Sequence, residues 1–462
     1  MIRLRALALA AACLGLPAAG WPMDLVEAWR AAQEHDLDFA AARAAHDAGV
    51  ARRSEGSALW RPSVQATGSV GRMSNSTDFT GAHFAAPGLG QSNGVDFGTS
   101  VNDGNATSWA VTARQPLLSG ERLAQSRQLE LSGDVADLQW DAARQALMLR
   151  TAERYFEAVV AEETLRVLRE QQGAAEEALS EAQERYRIGD IPVTDSHEAN
   201  ARAQGIRAQV LAAESDLELK RYALSDITGI APRDLVLKVP SDAPAPGEAA
   251  LLDNWLERTA QNNPELRMES ANLAVAQQDV ARTRAGSGPS LDFVARVGRD
   301  RLSGSGDFGA ASNAASNGMI GLQLTVPVFT GGYRSAQHEE ALGMAEKARA
   351  EEARTRQQVA QRTRSSWLGL TVGATRAEAL AAARQASLAR LEATRLGHHV
   401  GDRSTLDLLN AQSDAAGAEL NLLQARIGLL TERLRLAALA GALDEEQLRA
   451  ASAGLQPREL PR

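Results

Sequence analysis

The chain has 462 residues, with 49 Lys and Arg against 58 Asp and Glu, a formal charge of −9 at neutral pH and 23% charged residues. A surplus of acid argues against a nucleic-acid partner, because phosphate contacts need clustered Lys and Arg. One cysteine and 4% aromatics exclude a disulfide scaffold, a Cys-based zinc site and an aromatic-rich β-sandwich, and leave a composition that leans helical.

Residues 1–20 read as a signal peptide: Arg3 and Arg5, an apolar run from Leu4 to Leu16, then the small residues Pro17-Ala18-Ala19-Gly20. Export is therefore expected. Cys13 follows three alanines and lacks the branched aliphatic residue of a lipidation site three positions earlier, so lipidation is the lesser alternative. No later apolar run approaches the roughly 18 residues of a membrane-spanning helix. Any membrane crossing must use strands.

The first repeat, 21–240, reads as a helix, strands at 63–73 and 107–116, a long helix at 121–187 and a return helix at 194–228. In the first strand Val64, Ala66, Gly68 and Val70 alternate with Gln65, Thr67, Ser69 and Gly71, and in the second Trp109, Val111 and Ala113 carry the oily side. Ser74 to Ala106, dense in Gly, Ser, Asn and Asp, reads as a surface loop. Pro116 lacks the amide a ladder needs and is expected to end its strand. Residues 121–187 contain no proline and are built from Ala, Leu, Arg, Glu and Gln, so they should form one helix on the order of 100 Å long. A rod of that length survives only when packed against others.

Residues 229–250, with Pro232, Pro240, Pro244 and Pro246, read as a linker. The second repeat, 251–441, has helices, strands at 290–298 and 318–327, a loop from Arg299 to Asn317, a long helix at 332–399 and a return helix at 405–440. Its strands repeat the alternation: Leu291, Phe293, Ala295 and Val297, with Asp292 and Arg296 opposite, and Ile320, Leu322, Leu324 and Val326 against Gly321, Gln323 and Thr325. Ala416, Leu420, Leu423, Ile427, Leu430, Leu434 and Ala437 step by threes and fours, a coiled-coil seam. Residues 442–462 read as a polar tail.

The two halves are duplicates. Arg187-Ile188-Gly189-Asp190, with Asp195 and Ala199, returns as His399-Val400-Gly401-Asp402, with Asp407 and Ala411. Tyr155-Phe156 matches Trp367-Leu368 at the same offset, and upstream Asp36-Leu37-Asp38-Phe39 matches Asn263-Pro264-Glu265-Leu266. Each strand is about the length that crosses a bilayer at a tilt. Four cannot close a barrel, for which about eight is the practical minimum, and open edges in lipid leave backbone groups unpaired, so copies of the chain must join. Two, three or four copies all satisfy this arithmetic.

These features resemble the outer-membrane efflux protein family, the TolC-like exit ducts of tripartite efflux and type I secretion systems. The resemblance runs from about Asp24 to Gly441. It rests on Pro327-Val328-Phe329-Thr330-Gly331-Gly332 at a strand-to-helix corner, its weaker copy Pro116-Leu117-Leu118-Ser119-Gly120, and the Gly189 and Gly401 tip turns. It implies a mainly α fold with membrane β: a homotrimer with a 12-stranded β-barrel in the outer membrane and a long α-helical coiled-coil barrel across the periplasm. It further implies an adaptor (membrane fusion) protein and an inner-membrane transporter, either an RND pump or an ABC transporter, as partners, with drugs, small toxic molecules or unfolded protein as cargo. Asp36-Leu37 stands where the second half has the usual Asn263-Pro264, and a weaker helix start is expected there.

On the resemblance, the periplasmic gate lies at the tip turns. Asp407 would form an acidic ring, Asn410 a neutral ring, Arg403 and Asp195 links between neighbouring helices, and His398 stands at the usual aromatic position. The residues also support a simpler reading: Ser404-x-x-Asp407 and Asp195-x-x-Glu198 have the spacing of capping boxes. Trp60 and Tyr333 flank the strands, a place that suits either lipid headgroups or a packing role. Gly304-x-Gly306-x-x-Gly309 lies between two strands, the wrong setting for a dinucleotide loop. His398-His399 lacks a third metal ligand at local spacing, and no nucleophile elbow, HExxH or P-loop occurs. No enzyme, metal or cofactor is expected. The competing architecture is a periplasmic coiled-coil adaptor or scaffold with a small non-membrane sheet.

Overall fold

A computed structural model describes residues 23–88, 90–235, 237–240, 251–307, 309–453 and 455–456. The expected signal peptide, with Cys13, and the linker prolines Pro244 and Pro246 lie outside the described residues. Two compact units are formed, each from separated stretches of chain. One takes the described residues up to Ala48, Ala136–Ser270 and the described residues from Ala350 on; the other takes Gly49–Val135 and Ala271–Arg349.

The helical unit contains α1 (Leu25–His35), the start of α2 (Leu37–Ala58), most of α3 (Gly120–Arg187), and α4 (Val193–Thr228). It also holds α5 (Leu252–Asn262), the start of α6 (Pro264–Ala285), most of α7 (Tyr333–His399), α8 (Thr405–Leu439) and α9 (Glu445–Ser452). Asp24 caps α1: its carboxylate accepts the Glu27 amide at 2.8 Å while Glu27 accepts the Asp24 amide at 2.9 Å. The core gathers around Tyr155, Phe156 and Val159 of α3, with Leu25 and Trp29 of α1, Leu224 of α4 and Leu434 of α8. Two-residue strands β3 (Val239–Pro240) and β6 (Leu455–Gln456) pair antiparallel. The expected polar tail therefore contains structure. Asp444 caps α9 by accepting the Gln447 amide at 3.0 Å, and Leu448 and Ala451 are buried in or against the core, because an amphipathic turn can dock even in a polar sequence.

The duplication is visible in the joints. Asp36 caps α2 by accepting the Phe39 amide at 2.7 Å, and Asn263 caps α6 by accepting the Leu266 amide at 2.9 Å. The helix start at Asp36 is not weakened as the sequence suggested. Asp is as good an N-cap as Asn, and here it also pairs with Arg150 at 2.6 Å. The return helices end alike. Gly229 and Gly441, at φ +71° and +66°, lie against His35 and Asn262, the last residues of α1 and α5.

On α8, Ile427, Leu430, Leu434 and Ala437 of the expected seam are buried beside α3, and Leu423 packs against them. A second row, Leu422, Leu429 and Leu436, is buried too. Leu429 reaches Gly373 of α7, where an added Cβ would meet it at 3.0 Å, so α8 has partners on two sides.

The second unit is built on one antiparallel sheet of four strands in the order β1 (Ser63–Ala86), β2 (Gly90–Ser119), β4 (Ser290–Gly306), β5 (Gly309–Thr325). The register pairs Val64 with Ala113, Ala113 with Ala295 and Ala295 with Ile320, so the oily rows of all four strands share one face. That face is exposed, with Val70 84% and Ile320 74% accessible; the opposite face is exposed as well along β1 and β5, and at its centre Asp292 is 7% accessible and lies 3.8 Å from Arg114. An oily row left exposed on all four strands is unlike the covered oily face of a water-soluble sheet and matches a strand set made for lipid.

The strands are longer than expected, at 24, 30, 17 and 17 residues. Much of Ser74 to Ala106, and of Arg299 to Asn317, continues the ladder rather than looping. Alternating Thr77, Phe79, Val95, Phe97 and Val101 sustain the pairing, and outside lipid a strand need not be oily. Pro116 does not end β2. It pairs opposite Asp292 with a register shift before Leu118, which accommodates the missing amide. β5 stops at Thr325, short of Pro327. Gly306 and Gly309 close the β4–β5 hairpin, consistent with the rejection of a dinucleotide loop.

Candidate functional site at the helix tips

The two tip turns are built the same way. In the first, Gly189 at φ +81° sends its amide to Tyr186 O at 2.9 Å and Asp190 N reaches Arg185 O at 2.8 Å. In the second, Gly401, also at φ +81°, donates to His398 O at 3.1 Å and Asp402 N reaches Gly397 O at 2.9 Å. Each is a Schellman closure, in which a left-handed residue turns the chain and satisfies the last helical carbonyls; glycine takes that conformation without the Cβ penalty.

The following helices start differently. Ser404 caps α8, with its hydroxyl accepting the Asp407 amide at 3.1 Å while the Asp407 carboxylate accepts the Ser404 amide at 3.1 Å and its hydroxyl at 2.9 Å. The backbone amide and the hydroxyl of Ser404, aided by the charge of Arg403, hold the Asp407 carboxyl below its usual range. Asp195 occupies the matching position of α4, but the N-cap there is Pro192 and makes no side-chain cap. The expected Asp195-x-x-Glu198 box does not form. The helix begins at Val193, so Asp195 is already inside its first turn, where it complements the helix dipole.

The turns and the starts of α4 and α8 enclose a cavity of about 390 Å³. Its lining brings together Asp195, His398 and Arg403 with Glu198, Asp402 and Arg185, the last not named from the sequence. Asp407 and Asn410 are exposed and outside it. Arg185 donates to Asp190 at 2.7 Å, a bond that raises the guanidinium pKa further and was signalled only by a basic residue in the last helical turn. The hydroxyl of Thr405 is engaged with His398 Nε2 at 3.2 Å and that of Ser404 with the cap. What remains is a set of opposed charges, able to attract, repel and latch. Two further links escaped the sequence reading: Arg390 donates to Asp414, and Arg202 to Ser413, tying α7 and α4 to α8 behind the tips.

At the corners, Gly331 and Gly332 take φ +61° and +85°, and α7 starts at Tyr333, with Ala336 N donating to Gly332 O at 3.1 Å. Gly120 opens α3 directly after β2, where a Cβ would meet that of Ala285 at 3.3 Å. Pro327 stands between strand and turn.

A duplicated chain with a four-stranded sheet that exposes an oily face, and paired long helices ending in charged tips, is the design of a membrane exit duct. The sequence profile described as outer membrane efflux protein matches residues 28–230 and 255–442. The chain belongs to that family. It is 27% identical to the outer membrane protein TolC of Vibrio cholerae over 99% of both chains, and 27% identical to the proteases secretion protein PrtF of Dickeya chrysanthemi over 94% of this chain and 91% of that one. Its fold matches the CmeC outer membrane channel of Campylobacter jejuni, with a TM-score of 0.70 at 17% identity over 94% of this chain and 90% of that one. It likewise matches the outer membrane protein VceC of Vibrio cholerae, with a TM-score of 0.69 at 17% identity over 91% and 99%. The chain is an outer-membrane exit duct for efflux or secretion with a periplasmic helical part, and its relatives are channels and secretion proteins rather than enzymes.

Proposed function

We propose that three copies of this chain close a 12-stranded barrel in the outer membrane and continue it as a helical tunnel, forming the passive conduit of a tripartite export machine. The observation that carries this reading is the sheet. Among the described residues its order leaves one edge of β1 and one of β5 unpaired, while the face carrying Val64, Val70, Ile320, Leu322 and Leu324 is exposed. Unpaired edges beside an oily face are costly in lipid unless a neighbouring copy completes the ladder. The adaptor reading gains nothing from such a face.

The chain supplies a path and a gate; a periplasmic adaptor and an inner-membrane transporter, either proton-driven or ATP-driven, supply the work. The tip residues Asp195, Arg403, Asp407, Asn410 and His398 form the gate in this proposal. The charges around the tip cavity latch the turns together, and Asp407 contributes a negative ring at the mouth. The corner residues Pro116, Gly120, Pro327, Gly331 and Gly332 redirect each strand into its helix. The cargo is a small toxic molecule, a drug or an unfolded protein.

The test is a preparation from outer membranes in which oligomer mass and single-channel conductance are both measured. Three chains per particle and a cation-blockable pore are expected, with block weakened by Asp407→Ala. A freely soluble monomer without conductance would overturn the reading, and unchanged block in Asp407→Ala would remove that residue from the gate.

A further inference from the structure

The strand-to-helix corner carries an apolar surface that neither the ladder nor the helices use. The β4–β5 ladder ends at the pair Ser290 and Thr325. The oily row of β5, Ile320, Leu322 and Leu324, keeps its two-residue step beyond that point through Val326 to Val328, which is 94% accessible, and Phe329 beside it is 88% accessible. Gly331 and Gly332, both at positive φ, then turn the chain, and the ring of Tyr333 is exposed with its hydroxyl accepting from Gln337 at 3.0 Å. The first repeat has a related pair that is still within its strand. Leu117 and Leu118 follow Pro116, Leu118 pairs opposite Leu291, and both are about half accessible.

Arginines stand in the neighbouring elements on the helix side. Arg61 before β1 and Arg284 in the last turn of α6 are exposed, while the half-buried Arg122 of α3 donates to Leu59 O at 3.1 Å and Arg282 of α6 pairs with Asp279 at 2.9 Å. An apolar pair continuous with a lipid-facing row, followed by a tyrosine and then by guanidinium groups, is the order of acyl chain, carbonyl region and phosphate met on leaving a bilayer.

We infer that both corners are interfacial anchors, with Val328-Phe329 and Leu117-Leu118 inserted among phospholipids of the inner leaflet of the outer membrane and the exposed Arg61 and Arg284 at the headgroup phosphates. The anchors set the depth at which the sheet ends and the helices begin. This rests on the membrane-duct reading.

The test uses the full-length chain in a Cys13→Ser background, with single substitutions Leu322→Cys, Val328→Cys or Phe329→Cys. Each variant is spin-labelled and held in nanodiscs of phosphatidylethanolamine and phosphatidylglycerol. Collision with oxygen, which partitions into lipid, is compared with collision with a water-soluble nickel chelate. The label at 322 should favour oxygen strongly. Those at 328 and 329 should favour it by a smaller but clear margin, as a shallower position requires. Labels at 328 and 329 that meet the nickel freely, or that are shielded from both reagents as in a contact with a sister subunit, overturn the anchor while a lipid-facing label at 322 leaves the duct reading standing. Free access of nickel to 322 overturns both. Leu117→Cys and Leu118→Cys give the same reading independently should the second corner not tolerate labelling.

Discussion

The hydroxyl of Tyr155 donates to the carbonyl of Met23 at 3.0 Å, and the same oxygen accepts the amide of Lys238 at 2.9 Å. One side chain at the middle of α3 thus holds both the stretch that leads into α1 and the segment that follows α4. The ring is fully buried, beside Phe156 at 5.9 Å in an edge-on contact. Removing the oxygen in Tyr155→Phe strands two backbone groups in the core and should destabilise the helical unit by about 1–3 kcal/mol, read from denaturant unfolding.

The same residue sets an alkaline limit. Burial raises its pKa above the ordinary phenol value, so the folded state keeps a proton that the unfolded chain loses above about pH 10. Stability must fall as pH rises past that point, and the fall should be shallower in Tyr155→Phe. Thermal unfolding between neutral and strongly alkaline pH checks the difference in slope.

Asp36 and Asn263 offer a charge experiment. Asp36 is buried against Arg150, whereas the neutral Asn263 fills the matching joint and donates to Leu439 O at 2.9 Å. Arg150→Met should destabilise by about 1–3 kcal/mol by leaving a buried carboxylate without its cation. Asp36→Asn in addition should restore most of the loss, since the amide keeps the cap. A double-mutant cycle in urea measures the coupling.

Gly229 and Gly441 make equivalent turns against unlike neighbours. A Cβ at Gly441 would sit 2.3 Å from the Asn262 carbonyl oxygen, and one at Gly229 would sit 2.6 Å from the His35 ring. Backbone cannot swing aside and an imidazole can. Gly441→Ala should therefore lower the melting temperature more than Gly229→Ala, and His35→Ala should relieve only the latter. Both retain the strain of a left-handed alanine, about 1–2 kcal/mol.

At the second tip, the depressed Asp407 carboxyl means its cap is present above the ordinary aspartate pKa and is lost as pH falls through the lower folded value. The protection of the amides at residues 404–408, measured as exchange relative to that of an unstructured peptide at the same pH, should fall on acidification. Ser404→Ala should raise exchange there at neutral pH, while the first tip, which has no such cap, should be unchanged.

The duplication, the four alternating strands, the long proline-free helices and the glycines at the tips were all readable in the chain, because each follows from a local rule. Side-chain period decides strand or helix, and a left-handed turn selects glycine. Asp407 as a cap was legible for the same reason. The corresponding box at Asp195 was not, since its spacing is right but Pro192 moves the helix start.

Other features are not encoded in any window. Tyr155-Phe156 and Trp367-Leu368 are matched in sequence, yet Phe156 is buried and its counterpart Leu368 exposed, because the first pair packs in the core with residues of α1, α4 and α8 and Leu368 does not. Likewise the second buried row of α8 exists because Gly373 admits Leu429, and strand pairing through the Gly- and Ser-rich stretches exists because a partner strand supplies the hydrogen bonds. Local pattern determined which elements form and which face of each is oily. How far each strand runs, which duplicate is buried and which charges meet at the tips depended on the neighbours that folding supplied, since burial and pairing are properties of two surfaces rather than of one sequence.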